Sequence, residues 1–364
     1  MAAPGIEHIQ SSLSGHQVQA FLVTNPLSLR YLTGFTGDVG MLLVAGEGAL
    51  LAVDPRYTEQ AGKETTGARV TEVRDGWGDW LTGTLASRKI ARLAVEAEHV
   101  TLSQWEEWHQ HLPEVELKPV KGTVADLRIV KSQEEIRSIE AAVALTDEAF
   151  AAFRCWLRPG ATELEAAWFI EAYMRTHGAE AVAFDVVVAA GPNSAMPHAR
   201  PGVRCISEQE PIVVDIGSRI AGYNSDLTRT LWIGPSQDRF ARLYSVVQQA
   251  QEAAEAAIRA TMAGKEADAV ARRILTDAGY GDAFGHGLGH GVGLEVHEAP
   301  HLSPRSTDTL EPGHVVTIEP GVYLPGWGGI RIEDMVVVTD DGIRILTGST
   351  KEPWVSSSVG EDRG

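Results

Sequence analysis

The stretch VVTIEPGVYLPGWGGIRIEDMVVV, residues 315–338, decides how this chain folds. Val315–Ile318 and Ile330–Val338 are rich in β-branched residues and are separated by Pro and Gly, which predicts two strands and a connecting turn. Each run carries an acid where an apolar strand would not ordinarily hold one. Glu319 ends the first run just before Pro320-Gly321, a position from which a side chain can be aimed into a cleft. Glu333 shares a face with Arg331, because side chains two apart along a strand point the same way. A buried strand seldom carries a glutamate without compensating charge.

Working outward, Gly285–Glu298 reads GHGLGHGVGLEVHE, with His286, His290 and His297 close together. Glycine lets backbone pass near a ligand and take conformations closed to other residues. One histidine in such a loop is usually structural; three together point to a site. Further upstream, Asp215 ends the apolar run Pro211–Asp215, and Asp226 follows Gly222 in YNSDLTRT. Either aspartate alone would be a turn residue. As a pair facing each other across a predicted hairpin, they read as ligands.

Asp215, Asp226, His290, Glu319 and Glu333 thus all enter from strands or Gly-rich turns. Four carboxylates and one imidazole suit two divalent cations, since buried acids are costly to hold together without opposite charge. Such ions lower the pKa of a shared water and polarise a carbonyl. The oxygen-rich set favours Mn²⁺, with Co²⁺ or Zn²⁺ as alternatives. His297–His301, HEAPH, matches the zinc-protease spacing, but that motif needs a helix, and Pro300 opposes one. A P-loop, a GxGxxG turn opening a helix and a GxSxG elbow are all missing from the sequence.

The rest of the chain is α+β rather than a steady βαβ alternation. Phe21–Val23, the hairpin Met41–Val44 and Ala49–Val53 around Gly46-Glu47-Gly48, and Leu93–Val95 read as strands. Thr101 or Ser103 is placed to cap a Trp-rich helix. Ser132–Glu135 and Thr162–Glu165 are capping boxes that open two helices, the first stopped by Pro159-Gly160. Strands are predicted at Val182–Ala190, Pro211–Ile216, Gly222–Trp232 and Ile343–Leu346, and helices at Arg239–Met262 and Ala267–Ala278. A boundary near Ala125–Lys131 divides residues 1–125, a scaffold or shaping domain, from a catalytic domain of residues 126–364.

Composition sets the frame. The 364 residues carry 31 basic and 49 acidic side chains, a net charge of −18 spread along the chain. That balance argues against nucleic acid or an anionic membrane as a partner. Met41–Val53 is too short and too interrupted to span a bilayer. The N-terminal MAAPGIEHIQ has neither the charged nor the apolar region of a signal peptide, so a cytoplasmic protein is expected. Cys155 and Cys205 read as reduced thiols in buried segments.

From Val182 to Leu346 the sequence resembles the pita-bread metallopeptidases, a family that includes aminopeptidase P, prolidase, methionine aminopeptidase and the metal-free creatinase. NPLSLRYLTGFTGDVG and DPRYTEQA resemble the N-terminal domain of the aminopeptidase P, prolidase and creatinase branch. The resemblance implies a pita-bread catalytic domain behind a smaller creatinase-like α/β domain. It implies that Asp215 holds one metal, that Asp226 and Glu333 bridge two, and that His290 and Glu319 complete the second site. It further implies that His198 sits near the scissile carbonyl, that His297 stabilises the tetrahedral intermediate, and that His286, Arg331 and Tyr323 line the substrate pocket. Glu319 would move a proton from the attacking hydroxide to the leaving nitrogen.

Ala199-Arg200 and His301 depart from the residues most often found there and bear on the specificity rim. The extra N-terminal domain argues against methionine aminopeptidase. The complete ligand set argues against creatinase and against a non-catalytic binding protein. The compact N-terminal domain and HEAPHL lean toward aminopeptidase P, which removes the residue before a penultimate proline; the alternative is an Xaa-Pro dipeptidase. The resemblance also implies a homodimer.

Overall fold

The computed structural model describes residues 4–355. The chain forms two compact units, the first running to Arg128 and the second starting at Ile129.

The first unit holds, in order, α1 (Pro4–Ser12), β1 (Ala20–Val23), α2 (Pro26–Thr33), β2 (Gly40–Ala45), β3 (Gly48–Val53), α3 (Thr58–Glu64), β4 (Arg69–Glu72), α4 (Trp77–Ser87), β5 (Arg92–Glu96), α5 (Leu102–His111) and β6 (Glu116–Val120). Helix α6 (Ala125–Ile129) spans the division. Local chemistry sets these ends. Asn25 accepts from the Leu27 amide and Pro26 opens α2, while Gly34, at φ +80°, closes it in the left-handed region. Thr101, not Ser103, caps α5, in a box with Gln104. Ala45 pairs with Gly48, which makes Gly46-Glu47 a two-residue hairpin turn. The six strands form one mixed sheet, β4-β3-β2-β1-β5-β6, with an apolar cluster on each face.

The second unit begins with α7 (Gln133–Trp156) and α8 (Glu163–Thr176), each opened by a capping box, Ser132 with Glu135 and Thr162 with Glu165. There follow β7 (Ala181–Val182), β8 (Val187–Ala190), β9 (Ile212–Ile216), β10 (Ser218–Ile220), β11 (Tyr223–Asn224) and β12 (Leu227–Ile233). Helices α9 (Asp238–Ala257) and α10 (Gly264–Asp277) lead to β13 (Gly289–Gly291), β14 (Glu298–Leu302), β15 (Val315–Ile318), β16 (Gly321–Leu324), β17 (Gly328–Arg331), β18 (Asp334–Thr339), β19 (Gly342–Ile345) and β20 (Trp354–Val355).

Two sheets dominate this unit, β20-β12-β9-β8 and β14-β13-β15-β18-β19. The apolar stripe of α7 serves both. Ile136, Ile139 and Val143 pack on Val315 and Val337 of the five-stranded sheet, and Phe150 and Phe153 pack against the four-stranded one. Helices α9 and α10 cover the five-stranded sheet through residues such as Phe240, Val247, Ala271 and Leu275. No helix among the described residues is long and apolar enough to cross a membrane.

Three runs expected as single strands are broken, all for one reason. Between β7 and β8, β11 and β12, and β17 and β18, the chain leaves one sheet or hairpin and joins another. The helix predicted at Arg239–Met262 likewise ends early, at Ala257, where Ile258 turns extended (ψ 132°) and is buried. Both cysteines are exposed rather than buried. Cys155 lies two positions past inward-facing Phe153, on the far side of α7, and Cys205 precedes buried Ile206 in extended chain, so the two face opposite ways.

One buried group makes the fold acid-sensitive. His314 is 4 % exposed and its Nδ1 accepts from the Glu311 amide at 3.1 Å. Burial, and then the nearby Lys131 charge, pull its pKa down to about 4. An unfolded histidine titrates near 6.5, so between those values the unfolded chain binds the extra proton and stability falls as pH drops. We expect about 2–3 kcal/mol to be lost by pH ~4 from this residue. Melting temperature against pH checks it: His314→Gln should flatten that limb, and an unchanged limb would refute the assignment.

Candidate metal centre

The breaks between strands supply the site. Asp215 lies on β9, and Asp226 and Glu333 occupy the crossings before β12 and between β17 and β18. Register corrects the expected pairing of the two aspartates. Asp215 stands opposite Thr228, with Asp226 two residues before Thr228 and diagonal to Asp215. Ligand atoms of Asp215, Asp226 and Glu333 come within 4.8 Å of one another. His290, on β13, and Glu319, just past β15, close the cluster from the other sheet. The His290 Nε2 lies 3.3 Å from Glu319 Oε1 and 3.8 Å from Asp226 Oδ2.

A cavity of about 520 Å³ opens on this cluster. Its wall includes His198, His286, His297 and Arg331 as well as the five cluster residues. Tyr323 does not line it but stands behind, 2.9 Å from His286 Nε2 and accepting from Arg331 Nη1 at 2.8 Å. His198 and His297 are exposed at the cavity, and the His297 ring meets His290 edge-on at 4.3 Å between centroids. His297–His301 is not helical: Glu298–Leu302 forms β14, and Glu298 is tied to Lys131 at 2.6 Å.

Hydrogen bonds orient each group. Arg331 donates Nη2 to Asp215 at 2.6 Å and Nε to the Thr228 hydroxyl at 3.0 Å. Thr228 in turn donates to Glu333 Oε2 at 2.6 Å. The His290 Nδ1–H points to the Gly291 carbonyl at 3.1 Å, so Nε2 is the nitrogen turned toward the acids. In His286, Nδ1–H donates to the Gly287 carbonyl, which leaves Nε2 to accept from the Tyr323 hydroxyl. Thr317 donates to Glu319 Oε1 at 3.3 Å.

Behind Glu333 lies a buried ionic cluster. Arg229, 1 % exposed, donates to the Glu333 carbonyl, to Asp334 Oδ1 at 2.6 Å and to the Ser349 carbonyl at 2.7 Å, and Lys351 joins Asp334 Oδ2 at 2.7 Å. Thr228 and this support were not anticipated. The signal for Thr228 was its place two residues from Asp226, on the same face; Arg229 meets its partners only across the fold.

The electrostatics call for cations. Burial, followed by repulsion from Glu333 and Asp215, holds the Asp226 pKa well above the usual range. Burial and then the Glu319 charge push Glu333 to about 8. Burial also raises Asp215, against the pull of Arg331. Glu319 goes the other way: despite burial, the hydrogen bond and charge of His290 draw it to about 2. Asp215 Oδ1 is buried with no hydrogen-bond partner. An orphaned carboxylate oxygen, mutually repelling acids and an imidazole Nε2 placed among them form a donor set that fits hard divalent cations.

Residues 137–340 match metallopeptidase family M24, and residues 6–130 match the creatinase/prolidase N-terminal domain. An Xaa-Pro dipeptidase of Pyrococcus furiosus is 34 % identical over 348 residues, covering 95 % of this chain and 98 % of that protein. A structure titled Xaa-Pro dipeptidase from Bacillus anthracis is 37 % identical with a TM-score of 0.93, covering 97 % of this chain and 99 % of that one. An X-Pro aminopeptidase structure from Thermotoga maritima is 38 % identical with a TM-score of 0.88, covering 93 % and 98 %. The chain belongs to metallopeptidase family M24, with the two-domain pita-bread fold and a creatinase-like N-terminal domain.

Proposed function

We propose that this M24 metallopeptidase hydrolyses the bond before proline in Xaa-Pro dipeptides. The observation that carries the hydrolytic reading is the convergence of four carboxylates and His290 on one cavity. The preference for dipeptides is supported by the Xaa-Pro dipeptidases among the relatives, and it replaces the aminopeptidase P reading toward which the sequence leans. Aminopeptidase action on Xaa-Pro-Yaa stands as the second reading, supported by the Thermotoga maritima structure.

Asp215, Asp226, His290, Glu319 and Glu333 would hold two divalent ions, Mn²⁺ by the hardness of the donors. Bound there, such ions supply a nucleophile from water near neutral pH and polarise the scissile carbonyl. The protein's own groups do the rest. Glu319 accepts the proton of the attacking water and returns it to the departing nitrogen. That delivery matters for Xaa-Pro, because the imide nitrogen of proline carries no hydrogen of its own. His297 and His198 offer hydrogen bonds to the oxygen as it gains charge. Arg331 holds Asp215 and Tyr323, and through Tyr323 it steadies His286 against the substrate.

The test is cleavage of Ala-Pro against Ala-Pro-Ala and longer peptides by metal-free protein reloaded with Mn²⁺. Activity concentrated on the dipeptide is expected. Preference for the longer peptides would transfer the assignment to aminopeptidase, and no cleavage of either would remove it.

A further inference from the structure

A dipeptide brings a free carboxylate one residue beyond the bond that is cut, into a cavity already lined by five acids. Unless a cation receives it, repulsion would favour longer or amidated peptides. Arg200 and Arg331 are the cavity's two lysine or arginine side chains among the described residues. Arg331 is buried and committed to Asp215, Thr228 and Tyr323. Arg200 is exposed and pairs with no acid among the described residues, including Asp185 on the same wall. His301, the other rim residue, already has both its backbone N–H and its Nδ1 directed at Asp308, at 2.7 and 3.3 Å.

The segment that presents Arg200 is stapled. Glu163 is fully buried and accepts from the Ala190 amide at 2.8 Å, the Asn193 side chain at 3.0 Å and the Gly202 amide at 3.2 Å. One carboxylate therefore clamps both ends of residues 190–202. Inside the clamp, Ser194 donates to the Gly191 carbonyl and accepts from the Gly329 amide at 2.8 Å, and the Ala199 amide bonds the Met196 carbonyl at 3.1 Å. Ala199 is buried and Pro201 limits the backbone that follows. His198 lies on the same wall two residues before Arg200. A planar guanidinium on rigid backbone is suited to a carboxylate and gives up little freedom on binding one.

We propose that the Arg200 guanidinium receives the free α-carboxylate of the C-terminal proline and thereby selects dipeptides. The inference rests on the dipeptidase reading above and names the residue that enforces it.

The experiment compares Ala-Pro with its amide, Ala-Pro-NH₂, on Mn²⁺-loaded wild type, Arg200→Met and Arg200→Lys. Wild type should favour the free acid. In Arg200→Met the ratio of kcat/KM values, acid over amide, should fall about 10- to 100-fold, chiefly through KM for the acid, the scale of a lost charge-assisted hydrogen bond. Arg200→Lys should restore part of it, because a point charge lacks the paired donors. Because each ratio is taken within one preparation, it does not depend on the folded fraction. A wild-type preference for the acid that survives in Arg200→Met would overturn the Arg200 assignment and leave the dipeptidase reading standing. Equal handling of acid and amide by wild type would overturn both.

Discussion

Glu319→Gln is expected to lower kcat on an Xaa-Pro substrate by about three to four orders of magnitude, with the fold intact. Glutamine keeps the size of the side chain and can still accept from Thr317, but it cannot take a proton from water and hand it to the proline nitrogen. Glu319 is placed for that shuttle because it lines the cavity in its ionised form, able to accept a proton, 3.3 Å from His290. KM should change far less than kcat, since the missing interaction belongs to the transition state. Steady-state kinetics with the metal content of each preparation measured alongside decides the matter. A fully loaded variant working at the wild-type rate would show that Glu319 is not the proton carrier.

The second large effect concerns Glu333, and it has opposite signs with and without metal. Glu333 is 2 % exposed, and burial with the charge of Glu319 already drives it toward its neutral form. Removing its acidity by Glu333→Gln takes away part of that repulsion, so the metal-free variant should melt no lower than metal-free wild type. Added Mn²⁺ should stabilise wild type by about 2.7 kcal/mol at a hundredfold excess over Kd, roughly 5–10 °C for a unit of this size. The variant should gain little of this and bind fewer than two ions, with activity lost. Melting curves with and without Mn²⁺, combined with elemental analysis of bound metal, test both halves. Two tightly held ions in Glu333→Gln would exclude it as a ligand.

Much of the local structure is legible from residues alone. Ser132, Thr162 and Thr101 announce their helices because a hydroxyl at the N-cap satisfies an amide that the helix leaves free. The acids were conspicuous because charge is out of place in apolar runs. Burial of the two cysteines was misjudged, since one residue's rotation on a helix decides which way it faces. The strand breaks were invisible because each run keeps a strand-forming composition on both sides of the switch, and which sheet a strand joins is not written in local composition.

What the sequence by itself determined is the chemistry: which side chains can ligate, move protons or pair, and the α+β class of the elements that carry them. Tertiary structure alone decided how they meet. Asp226 and Glu333 share a site because their strands change partners at those residues. Arg331 reaches Asp215 across 116 positions, and Arg229 reaches Asp334 across 105. Arg200 reads from sequence only as part of the specificity rim, and its role toward a carboxylate emerged from the cavity, where the other arginine is already engaged. Residue type and short-range periodicity are local properties, whereas convergence depends on strand register and partner choice, which are settled by packing across the whole fold.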